Sequence, residues 1–166
     1  GSDFNYGKIT DSVELLATPA VRVEDLFVRP DAKTGVIRIR ANVRNASTVT
    51  VPSHLEFNVA PENSGETLGV TALSQELPPG DTVIETTLKL DNPRLWDLNN
   101  PAMYRVTVRL GAEGSGSIDE RSTRCGFRDF RFQDGAFQLN GRRLFLKGSH
   151  TGADTPVGVR VAHGRD

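Results

Sequence analysis

The sequence predicts an all-β fold: an immunoglobulin-like antiparallel β-sandwich followed by a C-terminal β-hairpin. Three observations carry this. Short stretches alternate apolar and polar residues with period two, the signature of half-buried antiparallel strands. Clusters of Pro, Gly, Asn and Asp punctuate them roughly every ten residues, the spacing expected of a sandwich. No stretch repeats its apolar residues with the period of an amphipathic helix.

The chain in order begins with a short strand candidate, Val13 to Ala17, ended by Thr18-Pro19. In Val21 to Val28, Val21 and Val23 share one parity while Leu26 and Val28 share the other, so a bulge near Glu24-Asp25 is expected. Val36 to Val43 places Ile37, Ile39, Ala41 and Val43 inward and Arg38, Arg40 and Asn42 outward. Asn45-Ala46-Ser47 reads as a loop. His54 to Val59 turns Leu55, Phe57 and Val59 inward, and Pro61 to Gly65 is turn material. Thr67 to Leu77 is a weaker strand, closed by Pro78-Pro79-Gly80-Asp81. Thr82 to Leu90 places Ile84, Thr86, Leu88 and Leu90 on one side. Asp91 to Pro101 is irregular. Tyr104, Val106, Val108 and Leu110 alternate with Arg105, Thr107 and Arg109. After a Gly-rich connection from Gly111 to Gly116, Ile118 to Phe132 reads as one long, bent strand.

The hairpin follows. Asn140-Gly141 sits between two apolar runs, and both residues tolerate positive φ, as a two-residue type I′ turn requires. That turn fixes the register: Phe137 opposite Leu144, Gln138 opposite Arg143, Leu139 opposite Arg142. Phe137, Leu139, Leu144 and Leu146 then share one apolar face. A two-stranded hairpin is marginal alone in water, so the face needs a cover. Little sequence follows to supply one, and Gly1-Ser2 has the character of a cloning remnant, so an excised piece is expected.

Composition narrows the function. A chain of 166 residues with net charge -1 and no basic block lacks the electrostatic footprint of a nucleic-acid binder. No apolar run approaches the length of a membrane-spanning helix. A single cysteine, Cys125, excludes an intrachain disulfide and a cysteine-based metal cluster.

The candidate chemistry is thin. Asp119-Glu120 are adjacent on a strand, so their carboxylates point to opposite faces rather than flanking one bond. Ser149, His150 and Asp154 have the residue types of a hydrolase triad but lie within one short Gly-rich segment, without the scaffold that defines triad geometry. His54, His150 and His163 lack metal-type spacing. The glycines at 111, 114 and 116 precede no helix, which leaves a phosphate cradle unsupported. Among rings that could stack on sugars, Tyr6, Trp96 and Tyr104, the inward parity of Tyr104 and the Pro93–Pro101 setting of Trp96 favour packing. No catalytic, cofactor-binding or metal-binding residue is assigned, and no cofactor is expected.

Several motifs taken together resemble glycoside hydrolase family 2, the family of β-galactosidases, β-glucuronidases and β-mannosidases. Pro93-Arg94-Leu95-Trp96-Asp97-Leu98-Asn99-Asn100-Pro101-Ala102-Met103-Tyr104 resembles its "LW…NP.LY" segment. Gly126-Phe127-Arg128 resembles its "GFR" strand, and Gly135 to Gly148 its "G.F.LNG.P..L.G" lead-in to a catalytic barrel. Asn5-Tyr6-Gly7 with Asp11 to Leu15 resembles the close of its N-terminal jelly roll, with Lys8 where a second glycine usually stands. The resemblance implies three parts: residues 1–19 ending a jelly-roll sugar-binding domain, residues 20–133 forming the sandwich, and residues 134–166 opening a TIM barrel. It further implies that the catalytic glutamates lie beyond Asp166. The sandwich would then be a non-catalytic spacer of a β-glycosidase, its partners the neighbouring domains and other copies of the enzyme, with no nucleic acid and no membrane. The alternatives are a carbohydrate-binding module and an adhesion-type interaction domain.

Overall fold

The computed structural model describes residues 13–112 and 117–148. Twelve strands follow in order: β1 Val21–Pro30, β2 Val36–Asn45, β3 Val51–Pro61, β4 Gly69–Leu77, β5 Gly80–Lys89, β6 Trp96–Asp97, β7 Asn100–Pro101, β8 Tyr104–Ala112, β9 Ser117–Cys125, β10 Phe130–Gln133, β11 Ala136–Leu139 and β12 Arg142–Leu144. No helix occurs among the described residues. By its internal contacts the chain divides into two units between Asp129 and Phe130.

The first unit contains two packed antiparallel sheets, the expected sandwich architecture. One sheet has the order β1-β2-β5 and the other β4-β3-β8-β9, all pairs antiparallel. The fourth strand pairs with β3 instead of completing the first sheet, so the layers hold three and four strands. The inward residues meet between them. Ile37, Ile39, Ala41 and Val43 from β2, Leu55, Phe57 and Val59 from β3, and Tyr104, Val106, Val108 and Leu110 from β8 are all buried. Each set keeps the parity its alternation dictates.

Two details tie the layers together. The register of β1 on β2 shifts between Val23 and Asp25, which lets the two apolar parities of β1 face one core. Asn45, at the end of β2, is 2% exposed, and its side-chain amide donates to the carbonyls of Val49 and Leu77, both at 2.8 Å. Its Oδ1 accepts from the Ser47 N–H at 3.0 Å, so the buried amide closes the turn expected there.

Two expected strands differ from what is observed. Val13 to Ala17 forms no strand, and Val13, Leu15 and Leu16 are exposed. Leu15 and Leu16 are consecutive, so no single sheet face could take both. The stretch from Ile118 to Phe132 is not one strand either. β9 ends at Cys125, residues 126–129 leave the ladder, and β10 joins a different sheet.

The second unit contains that sheet, in the order β10-β11-β12. Its hairpin has the expected register, Phe137↔Leu144, Gln138↔Arg143 and Leu139↔Arg142. Asn140 and Gly141 take φ of 52° and 78°, as the type I′ turn demands. β10 adds a third strand, with Phe130 opposite Leu139 and Phe132 opposite Phe137. Phe130 stacks on Phe137 at 5.7 Å, and Phe132 meets Phe137 edge-on at 5.1 Å.

Candidate functional site

The segment between β5 and β8 borders a cleft beside the resemblance motifs. The Trp96 N–H donates to the Phe127 carbonyl at 2.8 Å, and Leu95 pairs with Phe127 in a parallel bridge. Phe127 is fully buried and meets the Tyr104 ring edge-on at 5.3 Å. The Tyr104 hydroxyl accepts from the Arg94 N–H at 2.7 Å, so the start of β8 anchors the loop before it in the manner of a tyrosine corner. Gly126 has to be small here. A Cβ on it would lie 3.1 Å from the Trp96 Cβ and 3.3 Å from both the Ala102 carbonyl oxygen and the Met103 Sδ.

This corner borders a cleft of about 440 Å³ between Val28, Trp96, Met103, Arg124, Cys125 and Arg128. Trp96 is neither core nor open platform. It is half-buried, and the Arg128 guanidinium lies 5.4 Å from its ring centroid, a cation–π contact. Arg124 pairs with Glu62 at 2.9 Å. Burial pushes the Cys125 thiol up to about 11, so near neutral pH it is a protonated, inert side chain. Among the described residues no carboxylate lines the cleft. It can hold an apolar or hydrogen-bonding group, but it offers no acid/base pair.

The remaining candidates are dispersed. Asp119 Oδ2 accepts from the Val23 N–H at 2.7 Å, whereas Glu120 pairs with Arg109 at 2.7 Å on the outer face. The structure thus separates the adjacent acids, as strand parity requires. His54 is exposed, with its Nδ1 3.5 Å from the Ser74 hydroxyl. Tyr104 is in the core, as expected. Gly111 lies within β8. Tyr6, Gly114, Gly116, Ser149, His150, Asp154 and His163 lie outside the described residues. Among the described residues no group of His, Cys, Asp and Glu is placed to hold a metal ion, and no helix is long and apolar enough to cross a membrane. Sequence reasoning missed Arg128 as the cover of Trp96. Its only signal was the position next to Gly126-Phe127, since the contact spans the loop between strands.

Comparison with known proteins agrees with this architecture. The family model for glycosyl hydrolases family 2 matches residues 21–128, from the first strand of the sandwich to Arg128. A β-galactosidase of Photobacterium profundum is 31% identical over 153 residues, covering 82% of this chain and 14% of that protein. The large subunit of a β-galactosidase from Lactobacillus acidophilus is 27% identical over 146 residues, covering 87% of this chain and 22% of its own length. The crystal structure of a glycosyl hydrolase family 2 member from Bacteroides cellulosilyticus superposes with a TM-score of 0.71 at 28% identity, covering 79% of this chain and 19% of that one. The chain spans about a fifth or less of the length of these relatives. The match across the sandwich places the chain in glycosyl hydrolases family 2.

Proposed function

We propose that this chain is a non-catalytic sandwich of an enzyme that hydrolyses O-glycosidic bonds of β-linked sugars, and that it acts as a spacer between a sugar-binding and a catalytic domain. The observation that carries this is the fate of the carboxylates. A glycosidase needs two of them converging on one bond. Here Asp119 and Glu120 diverge, and Glu62, Asp81 and Glu120 are each engaged by an arginine of the sandwich surface. The two β-galactosidase relatives support the reaction class. The three-stranded sheet of the second unit supports the spacer role. Phe130, Phe132 and Phe137 are 49%, 65% and 38% exposed, an apolar face suited to a neighbouring domain or another copy.

Hydrolysis tests the assignment. The purified chain should release no nitrophenol from nitrophenyl β-galactoside or β-glucuronide above buffer, whereas the same chain extended into a following catalytic domain should hydrolyse at least one of them. Turnover by the chain alone would overturn the proposal. A second reading, a carbohydrate-binding module, is favoured only by the cleft beside Trp96. It alone calls for saturable quenching of Trp96 fluorescence by a soluble glycan, and Arg128 over the ring opposes it.

A further inference from the structure

The outer face of the three-stranded sheet carries charge that the sandwich does not use. Its arginines fall into two groups. Arg22 and Arg44 lie directly opposite each other across β1 and β2, and each has its own carboxylate: Glu24 for Arg22, and Asp81 for Arg44 at 3.0 Å. Arg29 and Arg38 also lie directly opposite each other, and Arg40 follows on the same face of β2. None of these three forms an ion pair with another described residue, although Glu85 stands opposite Arg40. The nearby Asp31 carboxylate is already engaged by the backbone N–H groups of Lys33 and Thr34. Like charges directly opposite in a sheet are destabilising, and the Asp31 carboxylate offsets this pair by attraction to Arg38 without forming an ion pair with it.

The same arginines line a groove of about 360 Å³, bounded by Phe27 on β1 and by Glu85, Thr86 and Thr87 on β5. Phe27 is 59% exposed and sits opposite Arg40. An exposed ring beside unpaired guanidiniums fits a partner that brings both carboxylates and apolar groups.

We propose that this groove docks an extended acidic polypeptide segment, lying along β2 with alternate carboxylates on Arg38 and Arg40 and its main chain passing beside the Phe27 ring. The spacing supports a strand. Residues two apart on β2 are separated by about 6.6–6.8 Å, the same repeat that alternate side chains have on an extended peptide. Guanidiniums take carboxylates in a two-point fork, which favours Arg over Lys in this role. The two-residue repeat of the arginines favours a peptide over a sugar acid, because alternate side chains of an extended peptide share one side at the same spacing. The inference concerns a surface of the sandwich and does not depend on the spacer assignment.

The test uses the whole chain and a fluorescein-labelled alternating Glu-Val octapeptide, read by anisotropy. The acidic peptide should bind saturably, the Lys-Val counterpart should not, and raising salt from about 50 to about 500 mM should weaken the acidic complex. Arg38→Gln/Arg40→Gln should loosen the complex about tenfold or more, and Phe27→Ser should loosen it severalfold. Both positions face outward, so thermal midpoints should hold. If the double variant melts early, the single Arg29→Gln variant replaces it and should also weaken binding. Oligogalacturonate serves as the saccharide polyanion. The proposal is overturned by no saturation up to about 1 mM peptide, by affinity unchanged in the variants, or by oligogalacturonate binding more tightly through the same arginines. Failure of these assays would leave the hydrolysis result untouched, so the two ideas stand or fall separately.

Discussion

Asp31 shows how much one exposed side chain can do in a turn. Its Oδ1 accepts from the backbone N–H of Lys33 at 2.9 Å and of Thr34 at 3.2 Å, capping the β1–β2 turn. These two bonds, first that of Lys33 and then that of Thr34, hold its carboxyl below the ordinary value of 3.8. A carboxyl lowered in the folded state favours folding when it is ionised. Its contribution is therefore complete above the unfolded value and fades as pH falls through the folded one. In Asp31→Asn the side-chain oxygen still accepts both bonds, but the charge is gone. The urea midpoint of the variant should lie below that of the original at neutral pH. The gap should close as pH drops below about 3.8, and a gap that persists unchanged at the acid end would refute the charge argument. Turn residues of this kind were legible in the sequence because Asp and Gly act on neighbours two to four positions away. Trp96 was not: its setting favours packing, yet it is half-buried and meets the Arg128 guanidinium, a residue brought to it by folding.

The elements divide in the same way. The bulge in β1 was legible because Val21 and Val23 disagree in parity with Leu26 and Val28, and a shared core forces the disagreement to be absorbed between them. What satisfies the bulge was not legible. The Val23 N–H, on a residue only 4% exposed, bonds to Asp119, which is 96 positions away and across the seam between β1 and β9. Replacing Asp119 by Ala leaves a buried donor without this acceptor, which should cost about 1–3 kcal/mol. A lowered urea midpoint with an unchanged m-value would show it, and Asp119→Asn, which retains an oxygen, should lose less. An unchanged midpoint in Asp119→Ala would mean that the seam is held without this bond, by packing and by the Arg121 guanidinium, which donates to the Val23 carbonyl at 3.4 Å. The fusion of β9 and β10 into one expected strand failed for a related reason. Residues 118–132 contain no proline, and Gly126 is their one glycine to mark the break. That glycine is needed because Trp96, Ala102 and Met103 crowd its Cα, and two of these three lie more than 23 positions away.

At the scale of the whole chain, the sandwich core and the family resemblance coincide. All buried residues of the core cluster fall between Val21 and Phe127, and the family model spans residues 21–128. The inner faces of β2, β3 and β8, with Val21, Val23 and Leu26 from β1, Ile84 and Leu88 from β5, Leu77 from β4 and Cys125 from β9, already form a continuous apolar layer between the two sheets. The three-stranded sheet from Phe130 onward contributes nothing to that cluster. Stability of a small domain resides mainly in the apolar area it buries, so the sandwich should fold without the second unit. A chain shortened to residues 1–129 should unfold in one cooperative transition, with near-unchanged far-ultraviolet dichroism and a midpoint within about 5 °C of the longer chain. The exposed phenylalanines sharpen this expectation. If their apolar face evolved to meet another domain, removing it should improve solubility as well as preserve the fold. A shortened chain that loses its cooperative transition would show that residues after Asp129 belong to the folding unit, and would move the functional boundary of the sandwich downstream of its core.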